Sequence, residues 1–302
     1  MGKNKKIVII ISVVFVIAIA VAAVILLHNK KDDSYRILKV YEVEGDAKVV
    51  REGKGDIEPY ANMVLESGDR VILNSGTFTI KADDDKYIYL EDNTELVLTA
   101  EGDSDNSKTT IELVSGAITN DIQNKLSAES SYEVNTPNST MSVRGTIYRV
   151  WIYEEDGVVY TKVSVFQGSV ATKLVYSDGT LSAEEVLVEN GKEVIIYDDG
   201  DTTDYMSEPK EIDLNDLPEK VLRILKKFLE KNRDITIDEK KVDKALEGPF
   251  DVIFMYNGTE FGRQTVKKGE CATMPSLAPA ETGGWDFEFS TPIDRDVTIE
   301  WK

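Results

Sequence analysis

Residues 132–150 read Tyr132-Glu-Val-Asn-Thr-Pro-Asn-Ser-Thr-Met-Ser-Val-Arg-Gly-Thr-Ile-Tyr-Arg-Val150, and this stretch predicts β-strands that meet at a tight corner. Pro137 fixes the backbone φ angle and removes an N–H donor, so we expect the preceding strand to end there. Gly145 permits a sharp or closely packed backbone between two strands. The stretch is therefore expected to be a folding corner of a β domain.

Three other residues of this stretch have side chains that suit such a corner. Arg144 offers a fork of N–H donors that could hold backbone carbonyls or a carboxylate. Thr136 and Thr146 suit the ends of strands. We expect a structural role for all of these residues, and ligand binding by Arg144 is the alternative hypothesis.

The sequence on both sides of the corner is also typical of strands. Between about residues 35 and 200, apolar and polar residues alternate with period two, as in Thr77–Lys81 and Lys86–Leu90. Glycines such as Gly168 recur at uneven spacing before short apolar runs, which predicts many tight turns and no fixed repeat. The pattern predicts one all-β domain, either a sandwich or an irregular roll.

The ordered set of motifs resembles the FecR domain, whose hallmark is an apolar strand, Thr-Pro, a short gap, Arg-Gly-Thr and another strand. The resemblance covers about residues 37–175 and includes Leu65–Val71 before the hallmark and Val163–Val170 after it. It implies a domain outside the membrane. Family members that regulate gene expression also carry a cytoplasmic anti-sigma region and one membrane helix. Here residues 1–6 are too short for such a region, so sigma-factor binding within this chain is not expected.

The N-terminal segment predicts a membrane anchor. Residues 7–27 contain no charged residue, and as a helix they would span ~31 Å, the thickness of a hydrocarbon core. Lysines flank both ends, and their distribution favours a cytoplasmic tail at residues 1–6. A cleaved signal peptide is the alternative, but the apolar run continues beyond its candidate site at Ala20–Ala22. The predicted localisation is the cell membrane, single-pass, with the C-terminal region extracellular.

Residues 210–247 predict a short helical connector. Asp216 is a candidate N-cap with Glu219 as its capping-box partner, and a helix is expected to run to about Lys231. Its apolar stripe, which we expect to pack on the β domain, comprises Leu217, Val221, Leu225, Phe228 and Leu229. A second, shorter helix is predicted for Asp238–Leu246.

Residues 250–302 predict a small, separate β module after the break at Gly248-Pro249. Their order of strand, glycine turn, Gly284-Trp285 and a closing strand that ends at Trp301 resembles an internalin-type B repeat, also called the Listeria–Bacteroides repeat. The resemblance implies a β-grasp-like fold. We expect Trp285 and Trp301 to anchor its core, and a sugar-stacking platform is the alternative.

Composition excludes several classes of function. The chain carries 35 Lys+Arg against 55 Asp+Glu, a net charge of −20, so nucleic acid is an unexpected partner. A single Cys and a single His leave no basis for a Cys-based zinc site or a Ser-His-Asp triad. We therefore predict no catalytic residue, no metal site and no cofactor. The fold class predicted from the strand patterns above is mainly β.

Three functions are compatible with these features. The first hypothesis is a non-enzymatic envelope protein that binds a surface protein or wall polymer through unidentified residues. The second is a FecR-type sensor that signals through a membrane partner. The third, a minor one, is a hydrolase that uses two carboxylates, which no particular pair of residues supports.

Overall fold

The structure is a computed structural model that describes residues 36–103, 106–176, 178–197, 206–231, 233 and 235–302. These residues form seventeen β-strands, a short 3-10 helix at Leu214–Asp216 and two α-helices. In chain order the strands are β1 Leu38–Arg51, β2 Gly55–Ile57, β3 Asp69–Ala82, β4 Lys86–Leu90, β5 Thr94–Glu101, β6 Lys108–Ile122, β7 Ser131–Thr136, β8 Ser139–Val143, β9 Ile147–Glu155, β10 Val158–Gln167, β11 Ser169–Leu174, β12 Val186–Glu189, β13 Lys192–Tyr197, β14 Lys210–Glu211, β15 Phe250–Tyr256, β16 Thr259–Val266 and β17 Val297–Glu300. The helices are α1 Glu219–Glu230 and α2 Glu239–Glu247.

Strands β1–β14 form one continuous sheet with two layers. Strand β6 pairs with β5 and β7 along its first half and with β4 and β9 along its second half. Strand β3 changes its partner in the same way, from β5 to β4. We call the strands β5, β7, β8, β11 and β12 the first layer and the strands β4, β9, β10, β13 and β14 the second layer. The strands β1, β3 and β6 run through both.

One hydrophobic core lies between the two layers. It combines side chains of the first layer, such as Leu98 and Met141, with side chains of the second layer, such as Tyr148 and Val165, all fully buried. Leu98 and Met141 alternate with exposed or half-buried positions along their strands, which is the period of a sheet with one buried face. Tyr148 and Val165 lie in continuous buried runs, because the outer face of the second layer is covered as well. The mainly β fold predicted from the sequence is confirmed.

The helical connector packs on the outer face of the second layer. The buried side of α1 consists of Val221, Leu222, Leu225 and Phe228. Together with Val242 and Leu246 of α2 it covers Ile147 of β9 and Phe166 of β10. The connector thus lies on the chain's own β domain, as its amphipathic pattern predicts.

The start of α1 differs from the prediction. Asp216 is not its N-cap, because it belongs to the preceding 3-10 helix, whose own N-cap is Asp213. Helix α1 begins one residue after Pro218, and no side chain caps it. Proline favours the beginning of a helix because its φ angle is already helical, so Pro218 rather than a capping box sets this boundary. The second helix, predicted for Asp238–Leu246, extends from Glu239 to Glu247, and Asp238 is its N-cap.

The C-terminal module has a three-stranded sheet in the order β16-β15-β17, in which β15 and β17 are parallel. Its own core contains Phe250, Phe254 and Ile299 and is separate from the two clusters described above. Residues 250–302 are all described and contain no helix, so they lack the helix of a β-grasp unit. The long connection before β17 contains Pro275, Pro279 and paired glycines, which disfavour a helix there.

The predicted fold class requires a correction at the membrane helix. Within the residues that the structure describes, no helix is both long and apolar enough to cross a membrane. The predicted cytoplasmic tail at residues 1–6 and the predicted span at residues 7–27 lie outside the described residues. The single-pass, extracellular localisation was derived from that span, and it stays a prediction.

Candidate functional site

The hairpin between β7 and β8 ties the two layers of the sheet together. Thr136 is buried at the end of β7, and its Oγ1 accepts a hydrogen bond from the backbone N–H of Ser139 at 3.1 Å. Pro137 and Asn138 form the turn. The side-chain amide of Asn138 donates to the carbonyls of Val159, at 3.1 Å, and Ile196, at 3.3 Å, in the second layer. The Thr-Pro part of the motif therefore lies at a structural junction.

Three further motif residues meet at what we call the signature corner: Gly145, Thr146 and Gly168. Gly145 has a φ of 109°, and a Cβ atom there would lie 3.1 Å from the Cα atom of Lys125. Gly168 has a φ of 80°, and a Cβ atom there would lie 3.0 Å from the carbonyl oxygen of Gly145. Thr146 Oγ1 donates to the carbonyl of Ser169 at 3.1 Å. A side chain at either glycine would be strained, so this corner needs both glycines.

Arg144 differs from the expectation for a structural residue. Its side chain is exposed and has no hydrogen bond or ion pair with any residue that the structure describes. The other arginines of the chain, eight in number, all pair with a carboxylate: Arg36, Arg51, Arg70, Arg149, Arg223, Arg233, Arg263 and Arg295. Arg144 thus stabilises no buried acceptor at the corner, and its guanidinium is available to a ligand.

Arg144 borders a solvent-open groove of about 350 Å³ on the outer face of the first layer. The residues that line this Arg144 groove include Ser131, Tyr132, Glu133, Ser142, Arg144, Ala171 and Leu187. Glu133, Ser142, Ala171 and Leu187 are direct cross-strand neighbours on four adjacent strands. The middle of this row has only small side chains, so a shallow depression forms between Glu133 and Leu187.

The connector contacts the signature corner through Arg233. Its Nη2 donates to Asp121 Oδ1 at 2.9 Å, and its Nε donates to Gln167 Oε1 at 3.3 Å. Gln167 immediately precedes Gly168. Asp121 immediately precedes Ile122, whose N–H donates to the carbonyl of Thr146 at 3.1 Å. Arg233 therefore joins the connector to two strand ends that form the corner.

The carboxyl group of Asp121 is in an unusual environment for an acid. It is 2% exposed, and burial raises its pKa above the ordinary value of 3.8. A hydrogen bond from Gln123 and the positive charge of Arg233 oppose this shift. Burial favours the neutral acid, so the connector's arginine is needed to hold a charge at this position.

The buried ion pair between Arg149 and Glu91 was not predicted from the sequence. Arg149 donates to both carboxylate oxygens of Glu91, at 2.7 and 2.9 Å, and its guanidinium lies 5.0 Å from the ring centroid of Trp151. Side-chain exposure is 3% for Arg149 and 13% for Glu91. An arginine between Tyr148 and Val150 in an apolar strand is the signal that could have revealed it, because such a charge requires a partner.

The motif residues of the C-terminal module lie in an aromatic cluster. The rings of Trp285 and Trp301 pack edge to face at 5.2 Å, and Trp285 also contacts Phe254 at 5.1 Å. Both tryptophans are half-buried. Gly284 has open space around its Cα, whereas Gly283, with a φ of 122°, lies against the indole of Trp301. The glycine that this packing requires is therefore Gly283.

Comparison with known proteins identifies the class of the β domain. Residues 69–171 match the family model described as FecR protein, a range that extends from β3 into β11 and includes the signature corner. The chain therefore contains a FecR domain. No curated protein sequence matches the chain significantly.

Two crystal structures of candidate anti-sigma factors from Parabacteroides distasonis ATCC 8503 have a similar arrangement. One is 14% identical, covers 66% of this chain and 83% of its own, and has a TM-score of 0.39. The other is 13% identical, covers 77% of this chain and 98% of its own, and also has a TM-score of 0.39. The resemblance of residues 250–302 to a B repeat lies outside the FecR match and stays a prediction.

Proposed function

We propose that this protein is a FecR-type regulatory protein that binds a partner through its β domain and signals through a second protein. The observation that carries the proposal is the FecR domain at residues 69–171. The hydrogen-bonded corner of that domain contains the motif residues Gly145, Thr146 and Gly168. The same corner borders a free arginine on one side and contacts the helical connector on the other.

The contact between the connector and the corner favours signalling over binding alone. Arg233 bonds to both Asp121 and Gln167, so a movement of either strand end changes the free energy with which the connector docks. The helices also share a hydrophobic cluster with Ile147, the first residue of the strand after the corner. A binding event at the corner can therefore alter how the connector is held.

Fewer structural observations support the other functional hypotheses. A protein that binds an envelope component without signalling would need the same FecR domain, but it gives no role to the Arg233 contact. The absence of enzymatic activity, of a metal and of a cofactor stays a prediction, as does the nature of the partner. We propose a protein that regulates transcription as the downstream partner.

Deletion of the gene and measurement of transcript levels test this proposal. We expect a restricted set of transcripts to change and to recover when the wild-type gene is returned. Arg233→Ala should restore those transcripts incompletely, whereas Arg223→Ala, which removes an exposed arginine from the same connector, should restore them fully. An unchanged transcript profile in the deletion strain, with a loss of surface binding, would favour the binding protein instead.

A further inference from the structure

We propose that the Arg144 groove binds an extended segment of a partner protein through an Asp or Glu side chain that has basic residues beside it. This inference rests on the proposed function and names the chemistry of the partner. It follows from the free charges, the shape and the position of the groove.

The first argument is the free guanidinium of Arg144. The chain has twenty more acidic than basic residues, and every other arginine in it has found a carboxylate. Arg144 has none among the described residues, although Glu133 borders the same groove. A guanidinium presents a planar fork of donors that matches the two oxygens of a carboxylate. A carboxylate is therefore the ligand group that this position is built to accept.

The second argument is the pattern of charge around Arg144. Glu133 on β7 and Glu189 on β12 are not fully buried, and neither has an ion pair with a described residue. The outer face of the first layer thus presents a cation with a free carboxylate on each side. The complementary partner has a carboxylate with cations on either side of it. A partner with acidic residues alone would be repelled by the net charge of −20.

Strand spacing sets the distance between these partner charges. Ser169 on β11 is the cross-strand neighbour of Glu189, and β11 lies between β8 and β12. Strands are about 4.8 Å apart, so Arg144 and Glu189 are about 10 Å apart, which equals about three residues of an extended chain. The basic residues of the partner should therefore lie within about three positions of its carboxylate.

The third argument is the form of the groove. Ser142 and Ala171 form a floor of small side chains, and Leu187 is 52% exposed at its border. An extended segment can lie on this floor and place an apolar side chain against Leu187. The groove is open to solvent, whereas small-molecule sites enclose most of their ligand. The one aromatic residue that lines it, Tyr132, is fully buried, so no ring face is available for stacking on a sugar.

A random peptide library displayed on phage and selected on the full-length protein tests this proposal. We expect enrichment of peptides that carry Asp or Glu with Lys or Arg within about three positions. Synthetic versions of these peptides with amidated C-termini should bind Arg144→Ala about tenfold more weakly than the wild type, because the variant loses one exposed, charge-assisted pair of hydrogen bonds. Arg144→Lys, which keeps the charge without the fork, should give an intermediate loss.

Arg70→Ala is the matched control, because Arg70 is a half-exposed arginine of the same domain that is already paired with Glu95. Its peptide affinity should equal that of the wild type. Enriched peptides without a carboxylate would overturn the proposal, and so would equal binding to the wild type and Arg144→Ala. Arg144-dependent binding of a soluble wall fragment, with no enriched peptide, would also overturn it.

Transcript measurements separate a failure of this inference from a failure of the proposed function. If no carboxylate-bearing peptide binds but deletion of the gene still changes transcripts, the groove proposal is wrong and the signalling proposal stands. If peptides bind through Arg144 but deletion leaves transcripts unchanged, the groove is a binding site of a protein that does not signal.

Discussion

Removal of Glu91 should strongly destabilise the β domain, because it would leave Arg149 buried without a counter-ion. Loss of one partner of a buried ion pair costs about 3–5 kcal/mol. The contact between Arg149 and Trp151 at 5.0 Å is present in both the wild type and Glu91→Ala, so it cancels from the difference in stability. We therefore expect Glu91→Ala to lower the free energy of unfolding by about 3–5 kcal/mol, a large part of the stability of a typical domain.

Urea denaturation followed by far-ultraviolet circular dichroism measures this loss. The double variant Glu91→Ala with Arg149→Met should be more stable than Glu91→Ala alone, because no buried charge is left unpaired. Glu95→Ala is the matched control, because it breaks an ion pair with Arg70 that is open to solvent: the side chains of Arg70 and Glu95 are 48% and 25% exposed. This variant should lose less than about 1 kcal/mol of stability. A loss below about 1 kcal/mol for Glu91→Ala would refute the conclusion that the Arg149–Glu91 pair is desolvated.

Three further perturbations follow from the structure. Gly145→Val should lower the free energy of unfolding by at least ~1–3 kcal/mol, because its φ of 109° disfavours a β-branched residue, whereas Arg144→Ala should leave the melting temperature unchanged. Equal melting of both variants would contradict this assignment of roles. Trp301→Ala should unfold only residues 250–302, at a cost below the ~3–5 kcal/mol of a fully buried tryptophan, and Trp151 fluorescence should not change with it. A simultaneous transition of both regions would show that they share one core. The pKa of Asp121 is higher in the folded state than in the unfolded state, so the unfolded state loses this proton first as pH rises. Asp121 therefore lowers the free energy of unfolding between pH 3.8 and the pKa of the folded state. The difference in melting temperature between the wild type and Asp121→Asn should therefore change in this pH range and stay constant at higher pH, and a difference independent of pH would contradict the shift.

Local sequence patterns predict those parts of the fold that depend on neighbouring residues. Alternation along Lys86–Leu90 places its buried side chains, and Pro137 marks the end of β7. The amphipathic stripe of α1 predicts its packing on a sheet. Each of these features depends on period or backbone chemistry within a few residues, so one sequence is sufficient to predict it.

The two arginines of the motif show where local patterns fail. Arg144 was expected to hold the corner, but Arg149 is the arginine that is buried. Its partner Glu91 is 58 residues away in sequence and becomes its neighbour only through the pairing of β4, β6 and β9. Register between distant strands decides which charges meet, and composition does not contain this information.

The contact of Arg233 with the corner was missed for the same reason. Arg233 is 112 residues from Asp121, and the two meet because α1 crosses the outer face of the second layer. The capping box predicted at Asp216 was a local error of a different kind. Pro218, two residues later, sets the start of α1 through its backbone geometry, without a side-chain cap.

Hydrogen–deuterium exchange of the full-length protein, with Gly145→Ala compared to the wild type, tests the central claim that the connector responds to the signature corner. A Cβ atom at position 145 presses on Lys125, within the segment that joins Asp121 to the corner. We predict faster exchange of the amides in residues 219–247, through a weakened contact of Arg233, with unchanged exchange in β15, β16 and β17. Faster exchange confined to the strands around position 145, with the connector unchanged, would contradict the account.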